Sequence, residues 1–168
     1  MSVPTGQTRE LMDDQGGLRL GDIRYMLIRP DVLMGIFTHL PEEMVGHVFE
    51  AFAKSVEENG GKSVQSYRGE AAENPKDLLQ IVAQTAPKLG WGLWEISERQ
   101  DGFTLRVEHS PFVAGHGPAE RPVCSAIEGM LSALACSVYG KNAVVREENC
   151  GAVTGSEYCE FSVHIAKE

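Results

Sequence analysis

A chain of 168 residues is long enough for one domain with a substantial hydrophobic core. Its 42% hydrophobic and 23% charged residues are ordinary for a globular protein. The net charge of −9 argues against sequence-independent nucleic-acid binding, which needs a basic surface to displace counterions. It also argues against docking on an anionic membrane, and no apolar run approaches the length of a bilayer span.

Residues 1–17 are polar, end in Gly16-Gly17 and read as a flexible lead-in. They lack the apolar core of a signal peptide, which points to the cytoplasm. The remaining chain, 18–168, reads as a single domain. A short extended piece, Leu18 to Leu20, is followed by Arg24 to Leu27. Pro30 then opens a helix at a first-turn position that tolerates it, with Leu33, Met34, Phe37 and Leu40 as its apolar stripe. The clearest helix is Glu42 to Glu58, where Met44, Val45, Val48, Phe49, Phe52, Ala53 and Val56 recur at helical spacing. Asn59-Gly60-Gly61 is expected to stop it, and Lys62 to Glu73 to form a polar linker. Asn74-Pro75 caps a further helix running to about Leu89, closed by Gly90.

The period then changes. Trp91 to Ser97 and Phe103 to Glu108 read as two strands joined across Gln100-Asp101-Gly102, an Asp-Gly hairpin signal. Ser110 to Arg121 is expected to be a Gly/Pro-rich loop. A helix follows from about Pro122 to Tyr139 and is closed by Gly140. A second hairpin runs from Asn142 to Asn149 and from Glu157 to Ala166. In its return strand Cys159, Phe161, Val163 and Ile165 alternate with polar residues and should face the core. The fold class is α+β, a helical layer packed on an antiparallel sheet built from two hairpins.

The cysteines carry the chemistry. Cys124 is followed after 23 residues by Glu147, then by Cys150 three residues on and Cys159 nine residues further. Zinc takes thiolate and carboxylate ligands, and its structural sites are usually four-coordinate. Without a CxxC knuckle, the spacing also fits small buried thiols or a Cys150–Cys159 disulfide. Cys124 in the first turn of its helix has free N–H groups that favour thiolate. Strand alternation puts Glu147 inward and Glu148 outward, an order that a bulge would invert. Cys136, twelve residues past Cys124 on the same helix, reads as core packing.

Met34, Phe37, Tyr67, Trp94, Phe103 and Phe112, with Trp91, are candidates to line an apolar pocket, against the plain alternative of core packing. Because Trp91 and Trp94 are three residues apart, a regular strand would let only one face the cavity. His109 and His116 read as solvent-exposed loop residues, and His39 and His47 as helix-surface residues. No nucleophile–base arrangement, GxGxxG or P-loop is present.

Val123-Cys124, Gly129, Gly140, Glu147, Cys150, Gly155, Cys159 and Phe161 together resemble the 4-vinyl reductase domain. This pattern also occurs in the ligand-sensing domains of bacterial regulators of aromatic catabolism. The stretch from Leu105 to Phe112 and the earlier Gly21 to Leu27 are similar to the same family, so the resemblance spans roughly 18–165. It implies a helical layer on an antiparallel sheet, related to haem-based nitric-oxide sensors and Golgi transport-particle subunits. A hydrophobic ligand would sit between helices and sheet, and the domain would form a homodimer. The aromatic sensors hold zinc by three cysteines and a glutamate, which fall here on Cys124, Glu147, Cys150 and Cys159. The histidine–aromatic pair with which they grip a phenol has no counterpart at Asn74-Pro75 or near Phe103.

The sequence therefore leads to a freestanding, non-catalytic, zinc-containing module that binds a small hydrophobic or aromatic molecule as a sensor or carrier. The competing readings are a part in tetrapyrrole vinyl reduction, for which no redox-cofactor motif is visible, and a scaffold subunit with a filled core.

Overall fold

The computed structural model describes residues 16–20, 22–71, 74 and 76–165, without the side chains of 20 and 67–71. The lead-in expected over 1–17 falls outside the described residues except for Gly16 and Gly17. So do residues 166–168 and the side chain of Tyr67.

Two short strands, β1 (Leu18–Leu20) and β2 (Ile23–Tyr25), form a separate antiparallel ribbon. Three helices follow: α1 (Pro30–Thr38), α2 (Glu42–Ala71) and α3 (Asp77–Thr85), the last running into a tight turn at Ala86–Leu89. The first hairpin is β3 (Leu93–Arg99) and β4 (Gly102–Glu108). After it come α4 (Pro111–His116), α5 (Ser125–Tyr139), β5 (Ala143–Asn149), α6 (Gly151–Thr154) and β6 (Tyr158–Ile165).

The two hairpins join edge to edge in one antiparallel sheet of order β3-β4-β6-β5. In the β4–β6 register Leu105 faces Phe161 and Val107 faces Cys159. All four are at most 1% exposed, as are Phe103 and Val163. These residues form the inner face, and the expected alternation of β6 is borne out for Cys159, Phe161 and Val163. The other face carries the Arg106–Glu108 ion pair and Arg106 stacked over Tyr158. Gly102 sits at φ 149° in the turn, where any side chain would strike the Val163 carbonyl.

Helix α5 packs against both the sheet and α2. Its Ile127, Leu131 and Leu134 are fully buried, each contributing about 1.5–3 kcal/mol of transfer free energy. Gly129 lets α5 approach α2 closely, since a Cβ there would overlap the Ala53 carbonyl. α3 lies beside β3 and completes the helical layer.

Four details differ from the expectations. α2 does not stop at Asn59-Gly60-Gly61 but continues to Ala71, because Val64 beyond the glycines is fully buried and tertiary packing overrides weak propensity. The expected linker is therefore helical as far as residue 71. The expected loop after β4 contains α4, opened by Ser110-Pro111, a proline at a first-turn position. Cys136 is exposed rather than in the core, since twelve residues rotate it well away from the direction of Cys124.

Candidate functional site

The structure brings Cys124, Glu147, Cys150 and Cys159 together, with one ligand atom from each lying within 4.8 Å of every other. Four elements position them. Cys124 is the N-cap of α5, one residue before the helix rather than in its first turn. Glu147 comes from β5, Cys150 precedes α6 as its N-cap, and Cys159 lies on β6. The β5–β6 register shifts between Glu147 and Asn149. This bulge falls after Glu147, so the inward alternation holds for Glu147, and Glu148 instead accepts a hydrogen bond from Ser162 Oγ.

The three thiols are buried and free. Cys124 Sγ and Cys159 Sγ are 3.7 Å apart. That is far too long for a disulfide bond, but it matches the edge of a tetrahedron with metal–sulfur bonds of 2.3 Å, about 3.8 Å. The Cys124 N–H donates to Glu147 Oε2 at 3.2 Å. Glu147 Oε1 is buried with no hydrogen-bond partner, an acceptor left for something else to satisfy. Around the cluster, Ser110 Oγ contacts Cys124 Sγ at 3.4 Å and the Gly151 N–H points at Cys159 Sγ at 3.3 Å. Glu128, one turn into α5, accepts the Glu147 backbone N–H at 3.1 Å.

Electrostatically the cluster is overcrowded with groups that ionise to anions. Cys150 is pulled down because Cys124 and Cys159 donate to it. Cys124 is pushed up, as the donor to both other thiols and a buried group. Cys159 gains acceptor character toward Cys124, but its own donation to Cys150 and its burial push it up to about 12. Burial, then the charge of Cys150, pushes Glu147 up to about 8. One thiolate therefore suppresses ionisation of its neighbours. A divalent cation at the centre would reverse this, because thiolate and carboxylate are the forms that bind metal. Donor set, spacing and the orphaned oxygen all fit a metal ion.

The second feature is an apolar cavity of about 310 Å³. Its helical wall is α2, where Val56, Gly60 and Val64 form one stripe at four-residue spacing and Ser55, Asn59 and Ser63 another beside it. Val82, Thr85 and Leu89 close one side, Met130 of α5 another, and Ile23 and Tyr25 of the ribbon reach over it. Trp91 and Trp94 both line it. The alternation argument that admitted only one fails because the strand begins at Leu93, and Gly92, at φ 88°, turns the chain before it. The Trp94 indole N–H donates to the Trp91 carbonyl at 2.9 Å, and the rings meet at 67°.

Of the other predicted pocket residues, Met34, Phe37, Phe103 and Phe112 are buried but do not line this cavity. Phe112 lies one layer behind, edge-on to Trp91 with centroids 5.4 Å apart. Phe37 stacks on Phe49 at 3.9 Å between α1 and α2, and Phe103 stacks near Tyr139 at 6.5 Å. Met130, Val56 and Val82 could have been found from the inward helical stripes. Gly60 and Val64 could not, because the helix was expected to end before them. His109 is exposed, with φ 58°. His116 is not a free loop residue: it closes α4, and its Nδ1 is buried without a partner. His39 and His47 are exposed on the helical layer, as expected.

A helical layer on an antiparallel sheet, with a cavity between them, is the architecture of small-molecule-sensing and ligand-holding domains. Residues 103–165 match the family model of the 4-vinyl reductase domain, so the resemblance read from the sequence holds. No curated protein sequence matches the chain. Among solved structures, the phenol-responsive sensory domain of the transcription activator PoxR, with phenol, is 16% identical with a TM-score of 0.70, over 90% of this chain and 81% of that one. A vinyl-4-reductase family protein from Methanocaldococcus jannaschii is 18% identical with a TM-score of 0.56, over 85% and 98%. A trafficking protein particle complex subunit 3 from Naegleria fowleri, covalently bound to palmitic acid, is 13% identical with a TM-score of 0.54, over 82% and 95%. The fold is thus that of the 4-vinyl reductase domain and is shared with a sensory domain. Among the described residues no helix is long and apolar enough to cross a membrane.

Proposed function

We propose that this chain is a non-catalytic ligand-binding module, a sensor or carrier. A small hydrophobic or aromatic molecule would occupy the cavity, and a structural zinc ion would be held by Cys124, Glu147, Cys150 and Cys159. The observation that carries the proposal is the cavity itself. It has an apolar lining and two indoles, with hydroxyl and amide groups but no charged side chain on its wall. Such a site selects a neutral molecule and orients it by one or two hydrogen bonds. Its volume suits a ligand of one to a few rings better than a tetrapyrrole macrocycle. Structural likeness to a phenol-responsive domain supports the aromatic class.

Three thiolates and one carboxylate around a closed site favour zinc in a structural role, tying the start of α5 to the second hairpin. Free thiols place the chain in a reducing compartment such as the cytoplasm. A homodimer belongs to the same proposal. Met26, Leu27, Val32 and Ile36 are between 51% and 87% exposed on and just before α1, large apolar side chains that a second copy would cover.

Native and denaturing mass spectrometry of the purified protein tests these points together. The expected result is a dimer carrying one zinc per chain and an additional small organic mass. A metal-free monomer with two fewer hydrogens and no bound mass would refute all three parts.

A further inference from the structure

Helix α2 contains a conflict between sequence and structure. Asn59-Gly60-Gly61 is a helix-stopping sequence, yet the helix passes through it without leaving helical geometry. The Asn59 side chain weakens the turn further, donating to the Ser55 carbonyl at 3.0 Å in competition with the backbone ladder. Close packing explains part of the glycine pair. A Cβ on Gly60 would lie 2.9 Å from Cε of Met130, the movable end of a flexible side chain. It does not explain Gly61, where a Cβ would meet nothing nearer than the Ala133 Cβ at 3.8 Å, an ordinary contact. Alanine fits at 61 and would favour the helix about five-fold, so glycine there serves neither packing nor backbone geometry.

The position of the weak turn is informative. Before it, α2 is fixed by Val45 and Phe49 in the core and by the close approach to α5 at Gly129. After it, Val64 is fully buried and, with Ser63, forms part of the cavity wall, whereas Lys62, Gln65 and Ser66 are exposed. The distal arm is therefore pinned by a residue that a ligand would touch.

We propose that Gly60-Gly61 is a hinge and that the arm beyond it, carrying Ser63 and Val64, swings out to admit ligand to the cavity and closes behind it. This rests on the cavity being the ligand site, as proposed above. In the straight helix Val64 closes the wall. In the open form the helix breaks at the glycines and Val64 leaves its seat, while the arm before Asn59 keeps its packing on α5.

Gly61→Ala tests the hinge without a steric clash. Stopped-flow fluorescence with N-phenyl-1-naphthylamine, a neutral apolar fluorophore, should show association and dissociation both slowed about five-fold with Kd unchanged. The closed form is stabilised equally with and without probe. Unchanged rates in a variant that melts higher would overturn the proposal. Amide hydrogen exchange on the probe-free protein separates this outcome from failure of the cavity reading. The amides of residues 63–66 should open more readily than those of 48–56, and Gly61→Ala should slow them about five-fold. If the fluorophore does not bind the wild-type chain, the cavity reading fails by itself. Equal protection on both sides of Gly61 overturns the hinge whether or not the probe binds.

Discussion

Replacing Glu147 by Gln should have opposite effects with and without metal. In the metal-free protein the folded state holds the Glu147 proton more tightly than the unfolded chain does, because burial and the Cys150 charge penalise the carboxylate. A group raised in this way gives its full stabilisation below its ordinary value and loses it as pH rises through the folded one. Here the window runs from 4.5 to about 8, and the proton linkage across it is about 5 kcal/mol at most. Between about pH 5.5 and about pH 7.5 it amounts to about 3 kcal/mol. Gln is isosteric, keeps an oxygen for the Cys124 N–H and does not ionise. The metal-free Gln variant should therefore be more stable than metal-free wild type at about pH 7.5 and should lack this part of its pH dependence. With zinc the order should reverse, since a neutral amide oxygen is a poor substitute for a carboxylate ligand. The assay is urea unfolding of chelator-treated and zinc-reconstituted proteins at both pH values. Metal-free wild type and variant with identical pH dependence would refute the placement of a buried carboxyl among the thiols. Equal zinc affinity would refute its role as a ligand.

Cys150→Ser or Cys159→Ser should release zinc and lower Tm, because metal binding is coupled to folding. Cys136→Ser should leave both unchanged, since that thiol is exposed and outside the cluster; elemental analysis with thermal melts decides. Val56→Phe adds a ring to a cavity-lining position and should abolish binding of N-phenyl-1-naphthylamine in a fluorescence titration, with the fold intact by circular dichroism. Gly129→Ala drives a methyl group into the Ala53 carbonyl and should cost about 1–3 kcal/mol by chemical denaturation.

The sequence made the metal cluster more legible than the cavity, for a physical reason. Four ligands at a hairpin and a helix start lie close together through local pairing, so strand alternation and the neighbouring helix nearly determine their meeting. Only the bulge after Glu147 needed coordinates, because alternation by itself does not say on which side of Glu147 a register shift falls. The cavity is a sum of distant contributions from the ribbon, α2, α3, β3 and α5. Aromatic residues were the natural candidates, but Met34, Phe37, Phe103 and Phe112 went to the core, where their area is fully removed from water. The wall instead uses small or short side chains, Gly60, Ser63, Val64 and Ala86, because a cavity is where large ones are missing. Trp91 escaped the alternation rule through Gly92, and the second half of α2 escaped the glycine rule through the burial of Val64.

Cluster and cavity are not independent, because α5 belongs to both. Cys124 caps its first turn and Met130, less than two turns later, faces the cavity. Ser110, the residue that opens α4, contacts Cys124 Sγ, and the next turn of α4 presents Phe112 to Trp91 on the cavity wall. A metal at the cluster would fix the register of α5 and α4 against the second hairpin and thereby hold two sides of the cavity still. The α2 side has no such tie beyond Gly61. Rigidity on one wall and a weak turn on the other is the division a ligand-responsive domain needs: binding energy is spent on moving one arm rather than dispersed through the whole cavity. Zinc removal should therefore loosen the Met130 and Trp91 walls, so that metal-free protein binds N-phenyl-1-naphthylamine more weakly even at temperatures where it remains folded. Equal affinity with and without zinc, measured by fluorescence titration well below Tm, would show that α5 does not couple the two sites.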